Sequence, residues 1–486
     1  MTATVTRRSL LLAAAGAATA SVAVPSGAQP RHPRPGGPLR SEVLIIGAGL
    51  SGLMAAMLLE EQGLKVQVIE ARRRVGGRVF SLRNLPGHPE AGGNSFAPGY
   101  GRMLGLTSRL QVPMIDTAPH AARSPFELYL DGAHVPMRAW PQHRRNVLPE
   151  ALRTLPPWTV ASRLLRQSNP LSAFQEWYDP RHRRHDVSVF EALRSAGLSA
   201  EQIELAFDLN ISYGTSAHDV SVLMMWFNDG WIRSMEGGPR IAWAARGGNS
   251  NIPEAMAAEL KNEIHLGRVV TSMESAADTA IVRCQDGTEY RASRVICSLP
   301  LPTLRQLPIS PYLPDVQSKA IKTVPYFPMT QVHLVAKSAF WEADGLSPSM
   351  WTETLAGHVV GNRHDLRDDR VTSLTAWARG VSAVRLDQLD PTDAKRAVVA
   401  AIEQLRPAAR GKLEAVEIKS WVRDPFAGGD YAIWGPGQVT EFVEHVGKSH
   451  GRIHFCGEHT ALASRGMEGA AESGERAALE VLEALA

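Results

Sequence analysis

The sequence predicts an α/β protein, a Rossmann-like nucleotide-binding domain into which an α+β domain is inserted. Residues 41 to 78 read as strand, glycine turn, helix, strand and acid. The same character returns twice further along, and the two long stretches between hold most of the tryptophans and much of the proline.

The apolar run from Ser41 to Ile46 ends on Gly47-Ala48-Gly49-Leu50-Ser51-Gly52. Gly47 permits a tight turn, Gly49 lets the backbone approach a pyrophosphate, and Gly52 lets the helix pack on the strand. That helix N-terminus, with Ser51 in its first turn, offers free N–H groups and a positive dipole end. Leu50, Leu53, Met54, Met57 and Leu58 repeat at the spacing of one helix face. Val66, Val68 and Ile69 then suit a buried parallel strand, and Glu70 at its carboxyl end can accept hydrogen bonds from both hydroxyls of a ribose. The acid would repel a 2′-phosphate, so an unphosphorylated adenine dinucleotide is the expected ligand. A glycine turn without a ligand is the plain alternative; the strand before it, the helix after it and the acid about 20 residues on argue against it.

At 486 residues the chain exceeds what one core usually supports, so two domains are expected. It is 44% hydrophobic and 21% charged, ordinary for a soluble globular protein, and a net charge of +3 provides no field for nucleic acid or a membrane surface. Arg7-Arg8 precedes an Ala-, Leu- and Val-rich stretch reaching Val24, with Ser26-Gly27-Ala28 small enough for cleavage. This resembles a bacterial twin-arginine signal, so 1–28 is expected to be a signal peptide read by the twin-arginine translocation machinery, and the mature protein to be periplasmic or secreted. Residues 29–40 read as a disordered tether. Cys284, Cys297 and Cys456 suggest neither a disulfide framework nor a metal site.

The first return of nucleotide-binding character comprises Gly247-Gly248-Asn249, a helix from Pro253, Ile264 to Val270, and an apolar strand reaching Pro300. The second runs from Gly451 to His459, then from Gly466 to Gly474 and into a closing helix. The nucleotide-binding domain is therefore expected from 41–100, 241–300 and 421–486, the inserted domain from 101–240 and 301–420, and the ligand cleft between them. In the insert, Ser221 to Trp231 is apolar on nearly all sides, which suits deep core better than a cavity wall. The arginine-rich runs 138–166 and 181–185 lack a nucleic-acid-binding motif and read as solvated faces; His182 and His185 lack supporting metal ligands.

Together the Gly47–Gly52 turn with Glu70 and Gly76-Gly77-Arg78, the Glu90-Ala91-Gly92-Gly93 segment, the strand to Pro300 and the Gly457-Glu458 to Gly469 segment resemble the flavin-containing amine oxidase family, which includes monoamine, polyamine and L-amino-acid oxidases. The likeness spans about residues 41–486 and is dense only in the nucleotide-binding pieces. It implies a GR2-type FAD-binding domain, with Glu70 at the adenosine ribose, Arg78 near the diphosphate, Val270 against adenine, and Ala71, Arg72 and Gly77 also contacting the cofactor. It also implies Gly92, Gly93 and Asn94 beside the isoalloxazine, Glu458 and Met467 at the diphosphate and pyrimidine end, and Ser95, Gly457, Gly466 and Ala470 among the further cofactor contacts.

Four positions depart from the family pattern. Monoamine oxidases tether flavin to a cysteine in Gly-Gly-Cys-Tyr; this chain has Gly428-Gly429-Asp430-Tyr431, so non-covalent FAD is expected. Tyr431 takes the place of one of two aromatic residues that sandwich the amine, and the other place is Gly466, which leaves room for a bulkier substrate. The lysine that many members use to hold a water falls at Gln331, whose amide can hold a water but carries no charge. His333, two residues on, shares its side of a strand. The arginine that clamps the substrate carboxylate in venom-type L-amino-acid oxidases is replaced by Ser95, leaving Arg102 or an arginine of the insert to substitute.

The expected function is FAD-dependent amine oxidation. Tyr431 and Trp421 form a dry aromatic wall that favours the neutral amine, hydride passes from its α-carbon to flavin N5, and the imine hydrolyses to a carbonyl compound. Oxygen, yielding hydrogen peroxide, or a periplasmic carrier takes the electrons. A flavin desaturase or dehydrogenase using a quinone or cytochrome, an L-amino-acid oxidase, and a flavin-bearing assembly protein are the alternatives. No nucleic-acid partner is expected, and the sequence leaves room for a homodimer.

Overall fold

A computed structural model describes residues 38–235, 241–363 and 370–486; the expected signal peptide and the expected tether up to residue 37 lie outside the described residues. The first strand, Leu39–Ile46, begins inside the stretch read as tether, because Leu39 and Arg40 already pair with Tyr290 and Arg291. Val43 to Ile46 are buried, since the strand lies parallel to Val66–Glu70 on one side and Glu289–Cys297 on the other. Burial on both faces explains its unbroken apolar run.

Among the described residues this sheet has eight strands, running Ile309–Ser310, Val270–Ser275, Ala280–Cys284, Glu289–Cys297, Leu39–Ile46, Val66–Glu70 and His265–Leu266. Ile453–Phe455 pairs with the last residues of Glu289–Cys297, whose first residues pair with Ala280–Cys284. The parallel strands end on Glu70, Ile46, Cys297 and Phe455, so the segments that follow them open at one edge of the sheet. Open α/β sheets bind ligands there. All three cysteines are free and buried.

A seven-stranded sheet runs Leu413–Ser420, Met329–Ala336, Ser373–Arg379, His358–Asn362, Met350–Thr352, Glu127–Leu130 and Ala133–Val135. Every strand of it comes from 101–240 or 301–420. The first sheet draws on 41–100, 241–300 and 421–486, except for Leu39, Arg40 and the short strand Ile309–Ser310. One face of the second sheet packs Val332, Leu334, Val359 and Leu374 against Val398 and Ile402 of the helix Pro391–Leu405. The insert helix, Val222–Ser234, buries Val222, Leu223, Met224, Trp226, Phe227 and Trp231, as deep core requires. The arginine-rich runs pair with neighbouring acids at the surface, as Arg145 does with Asp131 and Glu353, and Arg181 with Glu176.

The helix Leu50–Glu61 departs from the one-faced expectation, with Ser51, Gly52, Ala55, Ala56 and Leu59 buried as well. It is enclosed between the sheet and the last helix, Gly466–Leu485, whose Ala471, Ala477, Ala478 and Val481 share its core. The backbones nearly touch: a Cβ on Gly474 would lie 2.3 Å from the Ser51 carbonyl oxygen. Gly474→Ala should therefore destabilise the protein by about 1–3 kcal/mol. Gly105→Ala, in an exposed helix where a Cβ meets nothing within 4 Å, should cost nothing. Thermal unfolding of the two variants measures the difference.

Candidate active site

The open edge of the first sheet leads into a cavity of about 290 Å³. Gly47 turns at φ +102°, and a Cβ there would come within 2.3 Å of Ser298 Oγ, which donates to the Ile46 carbonyl at 2.7 Å. A Cβ on Gly52 would come within 2.0 Å of the Gly47 carbonyl oxygen, so Gly52 lies behind the wall and lets the helix sit on the turn. Gly49 is different. Its backbone is ordinary, φ −77°, and a Cβ would meet no protein atom within 4 Å, yet it lines the cavity. The protein itself does not demand glycine at that point; a group pressed against the backbone does.

Glu70 is 4% exposed, and its oxygens accept from the Ala48 and Arg72 N–H groups, both at 2.8 Å. The acid thus fastens the glycine turn to the end of the neighbouring strand. Each oxygen keeps acceptor capacity for ribose hydroxyls. Arg72 reaches Asp424 at 2.5 Å and so leans away from Glu70, 3.8 Å off.

Arg78 donates through Nη1 to Glu458 Oε1 at 3.0 Å and to the Asp430 carbonyl at 2.5 Å, while Glu458 Oε1 also accepts the Ala432 N–H at 3.0 Å. Burial would raise the Glu458 pKa, but Arg78 outweighs it and holds the carboxyl below its usual range. Asp430, where the family's tethering cysteine would fall, is pushed up to about 6 by burial.

Gly47, Gly49, Ser51, Glu70, Ala71, Arg72, Gly77, Arg78, Gly93, Asn94, Ser95, Val270, Gly457, Glu458, Gly466, Met467, Ala470 and Tyr431 all line this cavity. A glycine turn on a helix start, an acid at the second strand end and a lining without cysteine or histidine fit an FAD held by non-covalent contacts.

Tyr431 closes part of the wall, stacked on Phe327 at 5.1 Å and edge-on to Tyr213 at 6.0 Å. Opposite the bare Gly466, the nearest atom to a would-be Cβ is the Tyr100 hydroxyl, 4.0 Å away. Tyr100 also lines the cavity and leans on Trp231 at 5.1 Å.

Four expected positions fall elsewhere. Gly52 lies behind the turn, as described. Trp421 is fully buried, with Nε1 donating to the Ala91 carbonyl at 2.7 Å, and a Cβ on Gly92 would come within 2.8 Å of its ring. Both therefore form the layer behind the wall. Gln331 is 1% exposed in the middle of the second sheet, with Oε1 buried and without a partner. His333 shares its face, bonded through Nδ1 to Thr375 Oγ1 at 3.1 Å; burial lowers its pKa to about 4, so it brings no charge at neutral pH.

Sequence reasoning missed Tyr100, Tyr213, Phe327, Phe426, Thr303 and Arg268. Tyr100 follows Ser95 closely and Arg268 precedes Val270, so nearness in sequence was a signal for those two; the others arrive through tertiary packing alone.

A dinucleotide cradle continuous with an aromatic wall defines a flavoprotein oxidoreductase. Residues 50–482 match the flavin containing amine oxidoreductase family model, and the chain belongs to that family. It is 27% identical over 466 residues to the flavin-containing amine oxidase A of Equus caballus, covering 91% of this chain and 85% of that protein. It is 26% identical over 473 residues to the flavin-containing amine oxidase B of Sus scrofa, covering 92% and 87%. Among solved structures, cyclohexylamine oxidase from Brevibacterium oxydans superposes with TM-score 0.74 at 22% identity, covering 92% of this chain and 99% of that one. Putrescine oxidase bound to putrescine gives 0.72 at 23%, with the same coverage; both share the fold. The protein is an FAD-dependent amine oxidoreductase.

Two measurements check the site. Gly49→Ala should weaken FAD retention while the cofactor-free protein still folds, with at most the loss of about 1 kcal/mol expected at a helix N-cap, since its Cβ meets no protein atom within 4 Å. Flavin absorbance and calorimetry report the two quantities.

The second concerns Glu90, which accepts from the Asn249 N–H and Ser81 Oγ, both at 2.7 Å, and is raised to about 7 by burial. Between the ordinary glutamate value and about 7, the folded chain holds a proton that the unfolded chain has released. Stability therefore falls as pH rises through that window. Glu90→Gln should flatten the fall relative to the parent in denaturant titrations from pH 4.5 to 8.

Proposed function

We propose that the enzyme takes a neutral amine against Tyr431 and oxidises it beside the flavin, with oxygen as electron acceptor. Amine, oxygen and water then yield the carbonyl compound, ammonia and hydrogen peroxide. When bound, FAD supplies the two-electron sink for this chemistry.

The observation that carries the reading is Tyr431 at the wall of the same cavity that begins at the glycine turn. Its ring and those of Phe327 and Tyr213 exclude water and disfavour an ammonium ion, so the amine is held with its lone pair free. The Tyr431 hydroxyl donates to the Ser212 carbonyl, which fixes the ring rather than leaving the hydroxyl for proton transfer. Burial drives its pKa well above the ordinary tyrosine value, so it stays protonated. No carboxylate or neutral histidine of the wall is needed as a base, because the amine enters already deprotonated.

Anaerobic addition of a panel of amines to the purified flavoprotein should bleach the flavin, and readmitted air should restore the colour with release of peroxide. Bleaching only by an apolar alkene precursor would replace amine oxidation with desaturation. Tyr431→Ala should slow amine-driven bleaching roughly two- to tenfold, the scale of one aromatic contact of about 0.5–1.5 kcal/mol, without loss of FAD.

Export is also part of the proposal: Arg7-Arg8 and the apolar stretch behind them support passage of the folded, flavin-loaded protein to the periplasm. Arg7→Lys with Arg8→Lys should then retain it in the cytoplasm, as cell fractionation would read.

A further inference from the structure

On the second sheet, the face that carries Gln331 and Trp377 holds several buried polar atoms that nothing among the described residues answers. Trp377 Nε1, Arg379 Nε and both ring nitrogens of His358 are buried without hydrogen-bond partners. His358 and Trp377 are opposite each other on paired strands, and Arg379, two residues beyond Trp377, places its guanidinium 5.3 Å from the Trp377 ring centre. Arg379 Nη1 donates to Ser212 Oγ at 3.3 Å, and Ser212 is the residue whose carbonyl accepts the Tyr431 hydroxyl. The cluster therefore adjoins the aromatic wall.

A second guanidinium lies beside Tyr431. Arg465 stands 5.9 Å from the Tyr431 ring centre, gives Nη2 to the Ala432 carbonyl at 3.1 Å, and leaves Nη1 buried without a partner. Among the described residues neither Arg379 nor Arg465 has a carboxylate within ion-pair reach. Asp430 and Glu458 are the acids whose fields they feel, and Glu458 is already bound to Arg78. Arg102, the other arginine considered for this purpose, is taken by Glu475 at 2.5 Å and Glu468 at 3.5 Å.

A buried donor without an acceptor costs about 1–3 kcal/mol. Two unpaired cations beside the aromatic wall also find no countercharge in a neutral amine that carries no anionic group. An acceptor-only anion supplies both an acceptor and a countercharge to each guanidinium it reaches.

We propose that Arg379, with Trp377 and His358 beside it and Arg465 by the Tyr431 ring, forms a subsite for a carboxylate of the substrate. The amine that this enzyme oxidises is then an amino acid. The inference rests on the amine-oxidising reading above and adds the class of substrate.

The test uses the flavin-loaded protein. Benzoate, which cannot be oxidised, is titrated by calorimetry with benzyl alcohol as the uncharged control. Arg379→Gln and Arg465→Gln should each weaken benzoate binding about tenfold or more, the loss of a charge-assisted contact, and leave benzyl alcohol unaffected. Arg379→Lys should recover part of the loss, and it serves as the second variant should Arg379→Gln not fold. Benzoate that fails to bind, or binds all variants equally, overturns the subsite and leaves the orphan donors to water.

Anaerobic bleaching by amino acids, set against the amines made from them by removing the carboxylate, separates the two readings. Bleaching by amino acids in preference supports the subsite. Bleaching by the decarboxylated amines alone sinks the subsite and keeps amine oxidation. If neither bleaches, amine oxidation fails, and benzoate binding still decides the subsite.

Discussion

The buried pair between Arg78 and Glu458 joins parts of the chain separated by 380 positions in sequence. It brings the loop after the second strand to the segment after the last strand, and through the Asp430 carbonyl and Ala432 N–H it adds the stretch that carries Tyr431. Breaking one partner of such a pair typically costs about 3–5 kcal/mol, because the other charge is left buried. Its larger effect is positional: the cradle and the aromatic wall come from different pieces of sequence, and this contact fixes one against the other.

The same division of labour explains what could be read in the sequence. The glycine turn and Glu70 were legible because their geometry is set within one local unit, and the structure adds only that Glu70 also holds the turn through Ala48. Leu50–Glu61 was misread as one-faced because its second burial partner, the helix from Gly466, lies some four hundred residues on. Gln331 and Trp421 show a different limit. Alignment to a family gives a position along a strand, whereas whether the side chain reaches the cavity depends on the tertiary packing around it, as with the Trp421 ring held against Ala91 and Gly92. Tyr100 and Tyr213 left no periodic or motif signal, since aromatic residues at a wall look like aromatic residues in a core.

The electrostatics of the two sheets also differ. The first concentrates charge into closed pairs, Arg78 with Glu458 and Arg72 with Asp424, at the place where a dinucleotide's phosphates and ribose would demand order. The second buries neutral groups, with His333 and His358 both held uncharged by desolvation, and its Arg379 meets Arg465, from the start of the last helix, in the neighbourhood of one tyrosine. A site that must accept an uncharged nitrogen benefits from such a floor, because desolvation and neighbouring cations both disfavour the ammonium form.

The cysteines carry a last implication. Cys297 ends one strand and Cys456 directly follows its neighbour, just before Ser298 and Gly457 of the cavity lining, and burial pushes both thiols up to about 12. Oxidants attack the thiolate, a species essentially absent at such values. Under the proposed chemistry, each turnover releases peroxide a short distance from sulfur, and these side chains are kept in the form least able to be consumed by it. Catalytic lifetime is then protected by packing.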